Sequence, residues 1–129
     1  MTPVIVRNIP RAHPDHISRL GEFGVATVHE AQNRTGLLHP YMRPIDARSR
    51  VAGSAVTVLC HPGDNLMIHA AMAIAKPGDV LVIDGKGDLS SALMGEIMCQ
   101  QCVALGVAAV VIDGAVRDSV AIRELGLPM

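Results

Sequence analysis

The dipeptide Arg117-Asp118 carries the sharpest chemical signal in this chain of 129 residues. It follows Val111-Ile112-Asp113-Gly114 and precedes a predicted helix. An aspartate in that position can bind a divalent cation. An arginine beside it can grip a carboxylate, because its planar guanidinium donates two parallel hydrogen bonds. The same pair also fits a structural role, with Asp118 or Ser119 capping the helix and Arg117 solvated. A second group, Gly95-Glu96-Ile97-Met98, places Glu96 21 positions before Arg117. If a helix begins at Gly95, the N–H groups of Ile97 and Met98 lack intrahelical partners and favour an anion. If the helix begins at Ser90, Glu96 is an exposed residue in its middle.

Other reactive side chains read as structural. Cys99-Gln100-Gln101-Cys102 has C-x-x-C spacing, but a redox pair needs its first cysteine at a helix N-terminus, and no second pair exists for zinc. His13, His16, His29, His39, His61 and His69 are scattered and read as surface or core residues. H-E-x-x-H and G-x-S-x-G motifs are missing, and Gly85-x-Gly87 is not followed by G-K-[ST].

The elements that must position these residues follow from hydrophobic pattern. Pro14–Phe23 and Thr27–Arg34 are predicted as short helices, the second opened by capping-box spacing at Thr27 and Glu30. A Pro- and Arg-rich loop covers 35–50, and Val51–Leu59 reads as a strand. Asp64–Ala75 is a helix stopped by Lys76-Pro77-Gly78. Val80–Ile83 and Val107–Ile112 are buried strands flanking a helix that ends at Leu105-Gly106. Ser119–Leu125 is a last helix. Strand, helix, strand with continuous apolar strands is a βαβ unit, so the strands are expected to be parallel. Val82-Ile83-Asp84-Gly85 recurs as Val111-Ile112-Asp113-Gly114. Both copies fall at carboxyl ends of strands, where ligands bind in parallel sheets. Asp84, Asp88, Asp113, Arg117 and Asp118 are therefore expected in one region.

Length and composition fit a single α/β domain over residues 1–129. Half the residues are apolar and 18% are charged, below the usual quarter, which suggests surface buried between subunits. The net charge of −1 and only two aromatic residues, Phe23 and Tyr41, argue against nucleic acid. The longest apolar run, 102–112, is too short to span a bilayer. The N-terminus lacks a signal-peptide pattern, and three cysteines do not form a disulfide framework, so a reducing cytoplasm is expected. Gly126-Leu127-Pro128-Met129 reads as a loop leading into another strand, and the chain as a fragment of a longer polypeptide.

Taken together the motifs resemble the 4-hydroxy-4-methyl-2-oxoglutarate/4-carboxy-4-hydroxy-2-oxoadipate aldolase family, within the superfamily of the regulator of ribonuclease activity A. The resemblance is carried by 26–31 (ATVHEA) with Gly36-Leu37-Leu38, by Tyr41-Met42-Arg43-Pro44-Ile45, and by 51–58 (VAGSAVTV) with Pro62-Gly63-Asp64-Asn65. Pro77-Gly78-Asp79-Val80, Gly95-Glu96 and 111–118 (VIDGAVRD) continue it. It covers nearly the whole chain.

The resemblance implies a swivelling β/β/α domain assembled as a homotrimer or homohexamer. It implies that Asp118 binds a divalent metal, Mg²⁺ or Mn²⁺, and that Arg117 holds the pyruvate part of a 2-oxo acid substrate. It implies that backbone N–H groups of Gly95 to Met98 meet the substrate carboxylate, and that Glu96 orders metal-bound water. The implied reaction is retro-aldol cleavage of 4-hydroxy-2-oxo acids to pyruvate, with oxaloacetate decarboxylation through the same enolate. Non-catalytic regulation of a ribonuclease and a truncated inactive relative are the alternatives. A Schiff base through Lys86 is disfavoured, because it needs a desolvated lysine. Two departures stand out: family chains continue well beyond Met129, where an acidic residue normally reaches a neighbouring subunit's site, and Ala121 stands where many relatives have an acid.

Overall fold

The computed structural model describes residues 2–129. In chain order the elements are α1 (Pro14–Glu22), α2 (Val25–Ala31), β1 (Ala55–Leu59), α3 (Leu66–Ile74), β2 (Val80–Asp84), β3 (Ala92–Met94), α4 (Glu96–Ala104), β4 (Ala109–Asp113), β5 (Ala115–Val116) and α5 (Ser119–Leu125). The main sheet has the order β1-β2-β4, and both pairings are parallel. This is the α/β arrangement that the continuous apolar strands require. Parallel neighbours need crossovers, here α3 and the β3–α4 segment.

The core lies between this sheet and α3, α4 and α5. Val56, Leu81, Val110, Ile68, Met72, Cys99, Cys102 and Ile122 are all buried. Burying one Leu or Ile side chain contributes about 1.5–3 kcal/mol, so this cluster is the main source of stability. Cys60, Cys99 and Cys102 are free and buried. Burial pushes the Cys99 and Cys102 thiols up to about 11, so neither is a thiolate at neutral pH. The structural reading of the C-x-x-C spacing is thus supported.

The VIDG repeat has a geometric cause. Val82, Ile83 and Asp84 lie directly beside Val111, Ile112 and Asp113. The Gly85 N–H donates to Asp113 O at 3.0 Å. A Cβ at Gly85 would stand 2.6 Å from both Asp113 O and Leu93 Cδ1, so a side chain is excluded there.

Several predicted boundaries move. β1 begins at Ala55, not Val51, and α2 begins at Val25 with Gly24 as its N-cap. Thr27 and Glu30 therefore sit inside α2, and the capping box is not formed. The helix predicted from Ser90 or Gly95 begins at Glu96, with Gly95 as N-cap. The segment before it forms β3, which pairs in parallel with β5 in a separate two-stranded sheet. Strands of three and two residues are too short to leave a periodic signal, so pattern reading misses both.

The N-terminal arm is attached through polar contacts. Neither α1 nor α2 has a buried residue. Arg11 reaches Asp79, and Ala12 N–H donates to Ser54 Oγ at 2.9 Å. At the other end of the chain, Val110 N–H donates to Pro128 O at 2.9 Å, so the residues after α5 run beside β4. Among the described residues, no helix is long and apolar enough to cross a membrane.

Candidate active site

The small sheet is the frame of the site. β3 and β5 run in parallel with Met94 opposite Val116, so Gly95 and Arg117 leave the sheet side by side. The Arg117 N–H donates to Met94 O at 3.0 Å and fixes this juxtaposition. Arg117 and Asp118 on one side thus meet Gly95 and Glu96 on the other.

Asp118 does not cap its own helix with its side chain. Its backbone is left-handed, at φ 61° and ψ 33°, a conformation that costs a non-glycine residue energy and clusters at functional sites. This turn directs the carboxylate across to α4, where Oδ2 accepts from Glu96 N–H at 3.1 Å. The capping reading of Asp118 on α5 therefore gives way to a cross-link between two helix starts. Arg117 Nε stands 3.7 Å from the same Oδ2, and its side chain is 73% exposed. With so much solvent around it, this pair is a weak tether, and the guanidinium is open to a ligand.

The start of α4 leaves backbone donors open. Cys99 N–H is the first to reach back, to Gly95 O at 3.1 Å. Glu96 N–H is taken by Asp118, which leaves Ile97 and Met98 N–H without intrahelical acceptors. The side chain of Ile97 is largely exposed, so its backbone is approachable. A small cavity of about 50 Å³ is lined by Asn65, Ala92, Leu93, Met94, Gly95, Ile97, Met98 and Arg117. The Glu96 carboxylate folds along α4, where Oε1 accepts from Gln100 Nε2 at 2.8 Å.

Gly95 is a steric requirement of this arrangement. A Cβ there would lie 2.7 Å from Asp118 Oδ2 and 2.9 Å from Arg117 Cγ and Nε. Gly95→Ala is therefore expected to push Arg117 and Asp118 apart. Exchange of the Glu96 amide hydrogen, followed by NMR, should then speed up at least tenfold as its bond to Asp118 Oδ2 is lost. An unchanged rate would mean that the two helix starts are not cross-linked.

Of the five predicted residues, Asp84 and Asp113 are register partners at the end of the main sheet, and the Asp88 carbonyl accepts from Ala115 N–H at 3.1 Å, two residues before Arg117. Asp84 accepts from Lys86 N–H, and Asp88 accepts from Ser90 N–H and Oγ–H. Asp113 accepts from the Tyr41 hydroxyl at 3.1 Å, a hydrogen bond that raises the Tyr41 pKa. These three carboxylates hold loops at the carboxyl end of the main sheet, whereas Arg117 and Asp118 belong to the small one. Among the described residues, no group of three His, Cys, Asp or Glu side chains is placed to hold a metal. Asp118, whose Oδ1 accepts no hydrogen bond among the described residues, fits a cation that keeps most of its water and takes one carboxylate. It does not fit a closed zinc site.

Asn65 is the residue that sequence reading missed. It is the N-cap of α3, yet its side chain makes no cap hydrogen bond there. Asp64 Oδ1 takes Leu66 N–H instead. Asn65 Nδ2 donates to Leu93 O at 3.2 Å and touches Met98 Sδ, so it braces the start of α4 from behind. A good capping residue that leaves capping to its neighbour was the available signal.

This geometry defines an α/β protein in which a guanidinium, a carboxylate and an open helix start meet at one corner, and comparison with known proteins places it further. Residues 25–129 match the RraA-like family, described as Aldolase/RraA, and the chain belongs to that family. A Halalkalibacterium halodurans protein provisionally named 4-hydroxy-4-methyl-2-oxoglutarate aldolase is 35% identical over 119 residues. The match covers 92% of this chain but only 57% of that protein, so the chain spans little more than half its relative's length. Among solved structures, Streptomyces coelicolor RraAS2, titled an unusual member of the RNase ES inhibitor RraA protein family, superposes with a TM-score of 0.83 at 26% identity. That match covers 93% of this chain and 63% of the other. The RNA-processing inhibitor RraA from Thermus thermophilis gives a TM-score of 0.72 at 28% identity, covering 83% and 65%.

Proposed function

We propose that this chain carries the substrate-binding corner of a metal-dependent lyase that cleaves 4-hydroxy-2-oxo acids to pyruvate and also decarboxylates oxaloacetate. The observation that carries the reading is the meeting of Arg117, Asp118 and the open N–H groups of Ile97 and Met98 across Gly95. The aldolase name of the Halalkalibacterium relative supports the chemistry.

In this reading the substrate carboxylate sits on the Ile97 and Met98 N–H groups, where the helix dipole favours an anion. Arg117 faces the same carboxylate and the 2-oxo oxygen. Cleavage of the C3–C4 bond passes an electron pair to the pyruvate fragment, and the guanidinium offsets the negative charge that develops there. The C4 hydroxyl must lose its proton as the carbonyl product forms. Glu96, whose Oε2 accepts no hydrogen bond among the described residues, orients the water that takes it. Mg²⁺ or Mn²⁺ held by Asp118 would supply Lewis acidity toward the 2-oxo oxygen.

Exposed apolar side chains surround this corner: Leu66, Leu89, Ile97 and Val120. Such a rim supports burial against another subunit, in a homotrimer or homohexamer. The three free, buried cysteines support a reducing, cytoplasmic location.

Purified protein given oxaloacetate and Mg²⁺ is expected to release pyruvate above the metal-only rate. Arg117→Ala should lower that excess by about a hundredfold, the cost of removing one preorganised charge donor. An unchanged rate would end the assignment. The second reading, a ribonuclease-binding regulator, draws on the titles of the Streptomyces and Thermus structures. Binding to a ribonuclease without metal, unaltered by Arg117→Ala, would favour it.

A further inference from the structure

We propose that a second anion site lies at the opposite end of the main sheet, between the N-terminal arm and the end of α3. Its ligand is a small multivalent oxyanion, phosphoryl or polycarboxylate. A cavity of about 300 Å³ lies there, lined by Arg7, Asn8, Arg11, Ala73, Ile74 and Lys76. Three cations border it, against one carboxylate, Asp79.

The hydrogen bonds divide those cations into two kinds. Arg11 is fully engaged, donating from Nε and Nη2 to Asp79, from Nη1 to Ile9 O, and from Nη2 to Ile74 O. It neutralises Asp79 and covers a carbonyl at the negative end of α3, the two features that would repel an anion. Arg7 and Lys76 make no side-chain hydrogen bond or ion pair among the described residues. Both are exposed, and both line the cavity. The arrangement leaves two cations without a hydrogen-bonded or ion-paired partner around a space large enough for a phosphorylated or polycarboxylate metabolite. Arg suits such a ligand by its fork geometry and Lys by its point charge.

The site is separate from the corner at Arg117. Asp79 precedes β2, while the catalytic candidates lie beyond the carboxyl ends of the strands. Five strand residues alone separate the two by roughly 16 Å. The proposal does not rest on the lyase reading.

The test is an amide-resolved NMR titration of the whole chain with inorganic phosphate, and in a second arm with citrate, against sodium chloride at equal ionic strength. Saturable shifts at Asn8, Ala73, Ile74 and Lys76 are expected with either oxyanion. Arg7→Gln combined with Lys76→Gln should weaken that binding at least tenfold. Both residues are exposed, so the unfolding midpoint should not move. Shifts that follow ionic strength alone, that survive the double substitution, or that are confined to Ile97 and Met98 would overturn the proposal.

Discussion

Asp118→Asn is expected to abolish most metal-supported activity while leaving the fold intact. Asparagine tolerates the left-handed backbone that Asp118 adopts, and its amide oxygen can still accept from Glu96 N–H. What disappears is the negative charge of the carboxylate proposed to hold the cation. Substituting partners that merely orient metal ligands costs about 10–100-fold, so loss of the direct ligand should weaken Mn²⁺ binding by at least that much. Mn²⁺ affinity is read by electron paramagnetic resonance and turnover by pyruvate release from oxaloacetate. The helix starts should register only a small stability change, about 0.3–1 kcal/mol, from the lost charge at the α4 N-terminus. Full Mn²⁺ affinity in the variant would place the metal elsewhere. Asp118→Ala is a poorer probe, because alanine is strained at this φ and a folding defect would mimic a chemical one.

Asp79→Ala should give the largest loss of stability. Asp79 is the one buried charged residue of the described core, at 2% exposure, and its Oδ2 is 2.7 Å from Arg11 Nη2. It also accepts from Lys76 N–H at 2.7 Å. Removing it takes the ion-pair partner from the Arg11 guanidinium, which keeps its bonds to Ile9 O and Ile74 O, and leaves the Lys76 N–H without its acceptor, a loss of about 1–3 kcal/mol. For a domain of this size the unfolding midpoint should drop by about 4–10 °C, and a shift within about 2 °C would refute a structural role for the pair. Arg11→Ala should do comparable damage by leaving the carboxylate alone.

Acid should act on the same pair. Burial is the largest influence on the Asp79 carboxyl and opposes its ionisation. The Arg11 hydrogen bond, the Lys76 N–H and the charges of both cations outweigh it, so its pKa lies below the ordinary aspartate range. A carboxyl depressed in the folded state contributes its stability above the unfolded pKa and loses it as pH falls through the folded one. The stability difference between the native chain and Asp79→Asn should therefore shrink in acid below the normal aspartate pKa. Urea unfolding at graded pH measures it.

Much of this architecture was legible in the chain. Runs such as Val80–Ile83 and Val107–Ile112 are apolar at every position, which only a strand covered on both faces tolerates, and parallel pairing followed. Lys76-Pro77-Gly78 and Gly106 marked where helices stop. The chemistry of Arg117, Asp118 and the start of α4 was legible as residue type and spacing, and family resemblance tied them together.

Other features were out of reach for a physical reason. β3 and β5 have three and two residues, below the length at which any period appears, yet they alone bring Gly95 to Arg117. The left-handed turn at Asp118 depends on the Glu96 N–H waiting across the gap, a contact 22 positions away. Asp84, Asp88 and Asp113 shared the expected end of the sheet but were claimed by nearby loop donors, which hydropathy does not reveal. The sequence by itself therefore determined the layers, because burial of apolar runs is a local property of residue type. Tertiary structure decided which carboxylate faces the guanidinium and which N–H groups stay open, because hydrogen-bond partners are chosen by distance in space.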